Sequence, residues 1–312
     1  MVEAIRYAPA HRSEWDRFID SSKNGTFLFK RDFMEYHAHR FPDHSLLFLD
    51  DKQALRAVLP ATREGAVLHS HKGLTYGGVI SDARMKGELM AEVFEALRRY
   101  AAPAAIARVV YRRIPYIYHR LPAEEDLYEL YRIGATLIGR GFSSAIAARH
   151  RLAFNSGRRW RIKRHPASAV IGESRDYEGF MQLVTRRLED RYQLKPVHSA
   201  EEIALLARRF PDNIRLFTVE DGGEMRAGAI IFETDTVAHV QYMSSSEEGR
   251  ALSSLDALAD VLVNTRYAEK PYFDFGIFTE GDGRILNQGL LRQKEELGGR
   301  AIMYDTYAFD LA

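Results

Sequence analysis

The chain has no cysteine among its 312 residues. That excludes a disulfide framework, a thiolate metal site and a cysteine nucleophile together. Net charge is also lacking: 44 Lys and Arg against 43 Asp and Glu leave +1 at pH 7, so no global field draws the protein to nucleic acid or to a membrane. No uncharged apolar run approaches the roughly 18 residues that a membrane helix requires. The opening MVEAIRYAPAHRSEWDRF has none of the apolar core of a signal peptide. The expectation is a cytoplasmic protein with no integral membrane segment. Hydrophobic content of 46% and charged content of 28% are those of a folded globular chain, and the length suits two cores better than one.

What the chain does contain is one pattern stated twice. Residues 45–79 read SLLFLDDKQALRAVLPATREGAVLHSHKGLTYGGV, and residues 214–249 read IRLFTVEDGGEMRAGAIIFETDTVAHVQYMSSSEEG. Each reads as an apolar strand, an acidic turn, a second strand, a polar turn and a third strand ending in glycine. An amphipathic helix follows each, over residues 86–100 and 252–265, and then another strand. Two such units imply two like domains facing each other across a cleft, where function is expected.

Around the first meander the pattern predicts a strand at 2–7, a helix at 13–20 with Trp15, Phe18 and Ile19 on one face, and a helical stretch at 31–40. After it come a β-rich segment at 107–119, a helix at 124–133 and a strand at 143–148, with Gly139-Arg140-Gly141 as a loop before that strand. Residues 150–165, HRLAFNSGRRWRIKRH, form a basic connector, read as a helix bridging the domains. It is either a solvated linker or a docking patch for phosphate or RNA. The second unit is predicted to hold a strand at 169–174, helices at 177–192 and 200–210, the meander, a strand at 272–276, a helix at 285–297 closed by Gly298-Gly299, and a strand at 301–309. Ser199 with Glu202 makes a capping box for the 200–210 helix.

The residues that could carry chemistry follow from these elements. The run Ser246-Glu247-Glu248-Gly249-Arg250-Ala251 joins a strand to a helix, a place where backbone N–H groups and the helix dipole hold a pyrophosphate. Glu247 and Glu248 oppose an anion there, and a plain turn is the alternative. Asp274 lies in an aromatic strand, so its carboxylate is either a structural acceptor or a functional group. Glu280 and Thr279 follow that strand, and Glu280 is the first candidate for general base or amine-orienting group. Asn287, Leu291 and Lys294 form one helical stripe, so Asn287 and Lys294 reach one ligand together, Lys294 as a point charge. Tyr76, before Gly77-Gly78, could stack or hydrogen-bond. His69 and His71 alternate on one strand without a third ligand, which reads as cross-strand packing and no metal.

The order strand, two helices, three antiparallel strands, helix, strand, helix, strand resembles the GNAT superfamily of acyltransferases. That family seats the coenzyme A pyrophosphate on a Q/R-x-x-G-x-G/A turn. Ser246, Gly249, Arg250 and Ala251 occupy the matching positions, with serine in place of Gln or Arg. A tandem pair is similar to the Fem-type aminoacyl transferases and their BioF2-like relatives. FDFGIFTEGDGRILNQGLLRQKEELGG (273–299), PVHSAEEIALLARRFPDNI (196–214) and GLTYGG (73–78) carry that likeness. The resemblance implies an α/β fold of two tandem GNAT-like domains, each a mostly antiparallel mixed sheet flanked by helices. The first spans residues 1–149, with a degenerate donor site and an acceptor-shaping role. The linker follows at 150–165, and the catalytic domain at 166–312.

The implied reaction is direct transfer of an acyl group to an amine. The donor is acyl-CoA (acetyl-CoA) or aminoacyl-tRNA, the tRNA held by the basic linker. The acceptor is a small-molecule, amino-sugar or peptide amine, with no DNA and no metal. Glu280, Asp274 and His198 take catalytic roles. Tyr76, Tyr242, Thr279, Asn287 and Lys294 contact substrate. A binding module that kept the fold and lost the reaction is the alternative.

Overall fold

The computed structural model describes residues 1–311, those of Arg191 and Tyr192 by backbone alone. The chain forms two compact units. Unit 1 comprises Met1–Phe142, Thr279–Ile285 and Met303–Ala312; unit 2 comprises Ser143–Phe278 and Leu286–Ile302. No helix among the described residues is long and apolar enough to cross a membrane.

In chain order the elements are β1 (Glu3–Arg6), α1 (Arg12–Ser21), α2 (Arg31–Met34), β2 (Leu46–Leu49), β3 (Leu55–Leu59), β4 (Thr62–Glu64), β5 (Val67–His69), β6 (Ile80–Ser81), α3 (Gly87–Ala101), β7 (Arg108–Arg112), α4 (Glu125–Arg132) and β8 (Thr136–Ala147). They continue with α5 (Ser156–Lys163), β9 (Val170–Ser174), α6 (Tyr177–Tyr192), α7 (Ala200–Arg209), β10 (Ile214–Asp221), β11 (Glu224–Glu233), β12 (Val237–Ser245), α8 (Glu247–Ala251), α9 (Ser254–Val261), β13 (Tyr272–Ile277), β14 (Thr279–Glu280), β15 (Ile285–Leu286), α10 (Gln288–Glu296) and β16 (Arg300–Asp310). Mixed α/β structure with mostly antiparallel sheets is the fold class expected.

Unit 2 follows the expected pattern closely. Its strands lie in the order β8-β13-β12-β11-β10-β9, with β12 and β13 the parallel pair. The central strands are apolar on both faces: Leu216, Ile230 and Ile231 are buried, and Phe217, Val219, Ile231, Val240, Leu258, Leu262 and Phe273 make one buried cluster. Apolar burial of this kind contributes about 25 cal/mol per Å2 and holds the sheet to α9. The Ser199–Glu202 capping box forms as predicted.

Four predicted elements differ. The first meander does not run on: Pro60 ends β3 because it cannot donate to the ladder, and β4 and β5 pair instead alongside β7, while β6 returns to β3. Gly139-Arg140-Gly141 lies inside β8 rather than in a loop, since it accommodates close backbone: Arg140 N donates to Asp282 O at 3.0 Å. The 252–265 helix is α9 followed by a π-turn over Leu262–Arg266, with Ser253 in left-handed conformation before it. The 285–297 helix begins only at Gln288, after β15. The basic segment contributes α5, capped by Asn155 and belonging to unit 2. Unit 1 has its own core, in which Leu46, Phe48, Leu59, Val93, Leu97, Val109 and Tyr111 meet.

Candidate active site

The site begins where two parallel strands part. β12 and β13 pair through Val237↔Tyr272, Ala238↔Phe273 and His239↔Asp274, and the pairing stops there. Beyond it β12 is distorted by a bulge opposite Ile230 and Ile231 that leaves Gln241 unmatched. β13 turns away at Gly276, whose φ of 78° a residue with a side chain rarely adopts. A Cβ at that position would also lie 3.2 Å from the Val240 carbonyl oxygen. The edge of β12 from 240 to 245 is therefore left facing a notch rather than a strand. Its backbone groups remain available to a ligand.

That edge opens on a cavity of about 560 Å3. Gln241, Tyr242, Ser244 and Ser245 of β12 line it, with Arg158 and Arg161 of α5, Arg187 of α6, Arg250 of α8, and Leu290 and Gln293 of α10. Asp256 on α9 holds two of the arginines in place. Arg158 donates to Asp256 and, at 2.9 Å, to Glu296, while Arg161 donates to Asp256 at 2.8 Å. The Asp256 side chain is only 5% exposed.

Behind the notch lies a buried polar chain. Asp274 is fully enclosed and accepts from the Ser143 hydroxyl, from Gly276 N at 3.3 Å and from His239 Nδ1 at 2.8 Å. Lys294, on α10, is 7% exposed and forms no hydrogen bond or ion pair among the described residues. Its ammonium lies 4.8 Å above the Phe275 ring. Burial lowers its pKa to about 8, with the nearby Asp274 opposing and Arg158 reinforcing that shift.

Tyr242 connects the cavity to His198. Its hydroxyl lies 2.8 Å from His198 Nδ1 and accepts from His198 N at 3.2 Å, and burial pushes the phenol pKa upward. His198 is buried at this contact. Among the described residues no group of three or more metal-ligating side chains gathers.

Of the residues singled out from sequence, Asp274 and Lys294 come together, as do His198 and Tyr242, all in unit 2. Gly249 and Arg250 border the cavity with Tyr242. The proposed pyrophosphate turn, however, is capped by itself: the Ser246 side chain accepts from Gly249 N at 3.0 Å, so that N–H is already used. Ala251 is exposed in the five-residue α8. Gly249 is needed for packing, since a Cβ there would stand 1.9 Å from the Arg226 carbonyl oxygen. Gly249→Ala is therefore expected to lower stability by about 2 kcal/mol through backbone displacement, read from its urea midpoint, and to move the β11–α8 contact that borders the cavity.

Asn287 does not lie on a stripe with Lys294; it is the N-cap of α10, accepting from Leu290 N at 3.1 Å. Thr279 and Glu280 fall in the segment belonging to unit 1. There the Thr279 hydroxyl accepts from Phe142 N at 3.1 Å, and the Glu280 side chain is exposed. Tyr76 is a core ring of unit 1, 2% exposed between Phe29 and Tyr118. His71, with φ of 56° and a pKa lowered by burial to about 3, is a buried neutral ring. Sequence reasoning missed His239, Arg158, Arg161 and Asp256 as a group. Only a histidine inside the apolar run VAHV hinted at the first.

Residues 142–283 match the family model described as an acetyltransferase (GNAT) domain. No curated protein matches the chain. Among solved structures, the chain superposes on FemX with a TM-score of 0.69 at 12% identity, covering 99% of this chain and 97% of that one. The C-terminal domain of a putative lysylphosphatidylglycerol synthetase from Agrobacterium fabrum gives 0.60 at 14% identity over 98% and 93%. A tandem GNAT protein from the clavulanic acid biosynthesis pathway gives 0.53 at 13% identity over 100% and 99%. At such identities these are likenesses of fold.

Proposed function

We propose that the chain is an acyltransferase, a reading supported by the match of residues 142–283 to the acetyltransferase (GNAT) domain model, and that unit 2 transfers an acyl group from a carrier lying in the β12 cavity to an acceptor amine by direct attack. The carrying observation is the parting of β12 from β13 next to the buried Asp274–Lys294 pair, opening on an arginine-bordered cavity. The donor carbonyl fits the notch, where backbone N–H groups of β12 can hold its oxygen. Lys294 adds a desolvated positive charge, whose effect on a developing oxyanion is far larger than in water. A cysteine nucleophile is not required.

The matching place in unit 1 is closed. Beyond the parallel pair β5–β7, Arg112 N donates to the Ser70 hydroxyl at 2.7 Å and Gly77 N donates to Arg112 O at 3.0 Å, which fills the would-be notch. This supports assigning the donor to unit 2 alone.

Two carriers fit the reading. Acyl-CoA is the donor implied by the domain family, and it predicts saturable coenzyme A binding. An aminoacyl-tRNA is favoured by one specific observation: α5, whose inner side gives Arg158 and Arg161 to the cavity, exposes Arg159, Trp160, Lys163 and Arg164 outward. The three cations form no ion pair among the described residues, and Trp160 is 60% exposed with Arg164 stacked on it at 4.8 Å. Cations interleaved with an aromatic ring suit an RNA backbone with unstacked bases. The acceptor is a small-molecule, amino-sugar or peptide amine.

Mass spectrometry of products from acetyl-CoA or alanyl-tRNA with a panel of primary amines tests the function, and a chain that binds neither donor is a binding module instead. If the carrier is RNA, reversing Arg159, Lys163 and Arg164 to Glu weakens tRNA binding by at least about 100-fold at low salt and flattens its salt dependence. Coenzyme A binding would stay unchanged by the same three substitutions.

A further inference from the structure

His239 is the last residue of β12 to face a strand on the β13 side, two residues before the bulge at Gln241. It sits in an apolar run, between buried Ala238 and Val240, and opposite Phe232 of β11. An imidazole there needs a built partner, and it has one. Asp274 takes three donors, from Ser143, Gly276 and His239; a group that only accepts is a carboxylate, so the bond at His239 Nδ1 carries the histidine proton. With Nδ1 carrying that proton, Nε2 is the ring nitrogen that can take up another. The ring's Cε1–Nε2 edge lies against Gly276: a Cβ on that glycine would be 3.4 Å from Cε1 and 3.9 Å from Nε2. The basic edge thus faces the place where β13 turns away and the notch begins. A bulkier residue at 276 would cover it.

Resting on the acyl-transfer reading above, we propose that His239 is the general base of the reaction, positioned by Asp274 and Ser143, and that it takes a proton from the acceptor ammonium at the mouth of the notch. This gives Asp274 a positioning role instead of a direct one, and it moves the base from Glu280 to a residue in unit 2. The balance is simple. One ammonium proton passes to Nε2 and later to solvent, the imidazolium being offset meanwhile by Asp274. The freed nitrogen lone pair forms the C–N bond at the donor carbonyl, and the tetrahedral adduct breaks its bond to sulfur or oxygen. The second nitrogen proton leaves with that sulfur or oxygen.

The test uses the full chain, with acetyl-CoA and alanyl-tRNA as separate donors and a primary-amine panel as acceptors. His239→Gln is expected to lower kcat by about 100-fold or more with the donor KM within about threefold. Imidazole added to His239→Ala should restore part of the rate, which a structural role would not allow. In 15N-histidine spectra, the resonance lost in His239→Gln should show a protonated Nδ1 and an unprotonated Nε2, and Asp274→Asn should disturb that pattern. A protonated Nε2 in the wild type overturns the assignment, as does a His239→Gln variant that matches the wild-type rate. If the wild type makes no product with either donor, the transfer reading itself falls, and the base with it.

Discussion

Lys294→Met will yield a protein that is more stable and nearly inactive. The lysine is buried without a hydrogen bond or ion pair among the described residues, and its pKa is lowered from 10.5 to about 8. At roughly 1.4 kcal/mol per unit, keeping that charge costs the folded state about 3 kcal/mol. Methionine has a similar length and shape, and its thioether suits the Phe275 face. That figure already includes the opposing attraction of Asp274, so a net gain of up to about 3 kcal/mol is expected. Turnover should fall by about 100- to 1,000-fold, as when a donor to a developing oxyanion is removed.

The pH dependence separates this from a generic packing effect. Between about 8 and 10.5 the unfolded chain binds the lysine proton more than the folded chain does. Unfolding free energy therefore rises with pH across that window, and below it the cost is fully present. Urea titrations of the wild type at pH 7 and pH 10 should show that rise, and Lys294→Met should not. A variant that is less stable, or that keeps the rise, would remove Lys294 from this role. The arrangement is one in which stability is traded for a charge placed next to the notch.

Asp256→Asn is the second large effect, with the opposite sign. Asp256 is the shared acceptor of Arg158 and Arg161 and is almost fully buried. Removing its charge leaves two guanidinium groups crowded at the cavity wall, with Glu296 the remaining partner of Arg158 alone. Breaking a buried pair from one side costs about 3–5 kcal/mol. The expected loss is about 3 kcal/mol in a urea titration, because Arg161 is partly exposed and can turn to solvent. Donor binding should weaken along with it, since both arginines border the cavity. Replacing Asp310, an exposed partner of Arg108 in unit 1, should change stability by less than 1 kcal/mol. Equal effects at the two positions would mean that the buried cluster does not organise the cavity.

Much of unit 2 was legible along the chain. The apolar strands and polar turns of 214–245, the Ser199–Glu202 box and the Gly298-Gly299 stop are local signals, and local signals act over a few residues. Unit 1 was less so. Its first two strands and its long helix follow the pattern, yet Pro60 diverts the third strand to another sheet, a choice made by partners distant in sequence. Asn287 shows the same limit. Its spacing to Lys294 fits a helical face, but the helix begins one residue later and makes it a cap.

The order of elements, the absence of any thiol chemistry and the setting of Asp274 in an aromatic strand were determined by the sequence alone. Short-range periodicity and residue type are enough for each. Which histidine meets Asp274, where β12 and β13 separate, and how Asp256 gathers two arginines were decided only by tertiary structure. These depend on strand register and helix packing between residues as far apart as Arg158 and Glu296, and no local pattern encodes a contact across that distance.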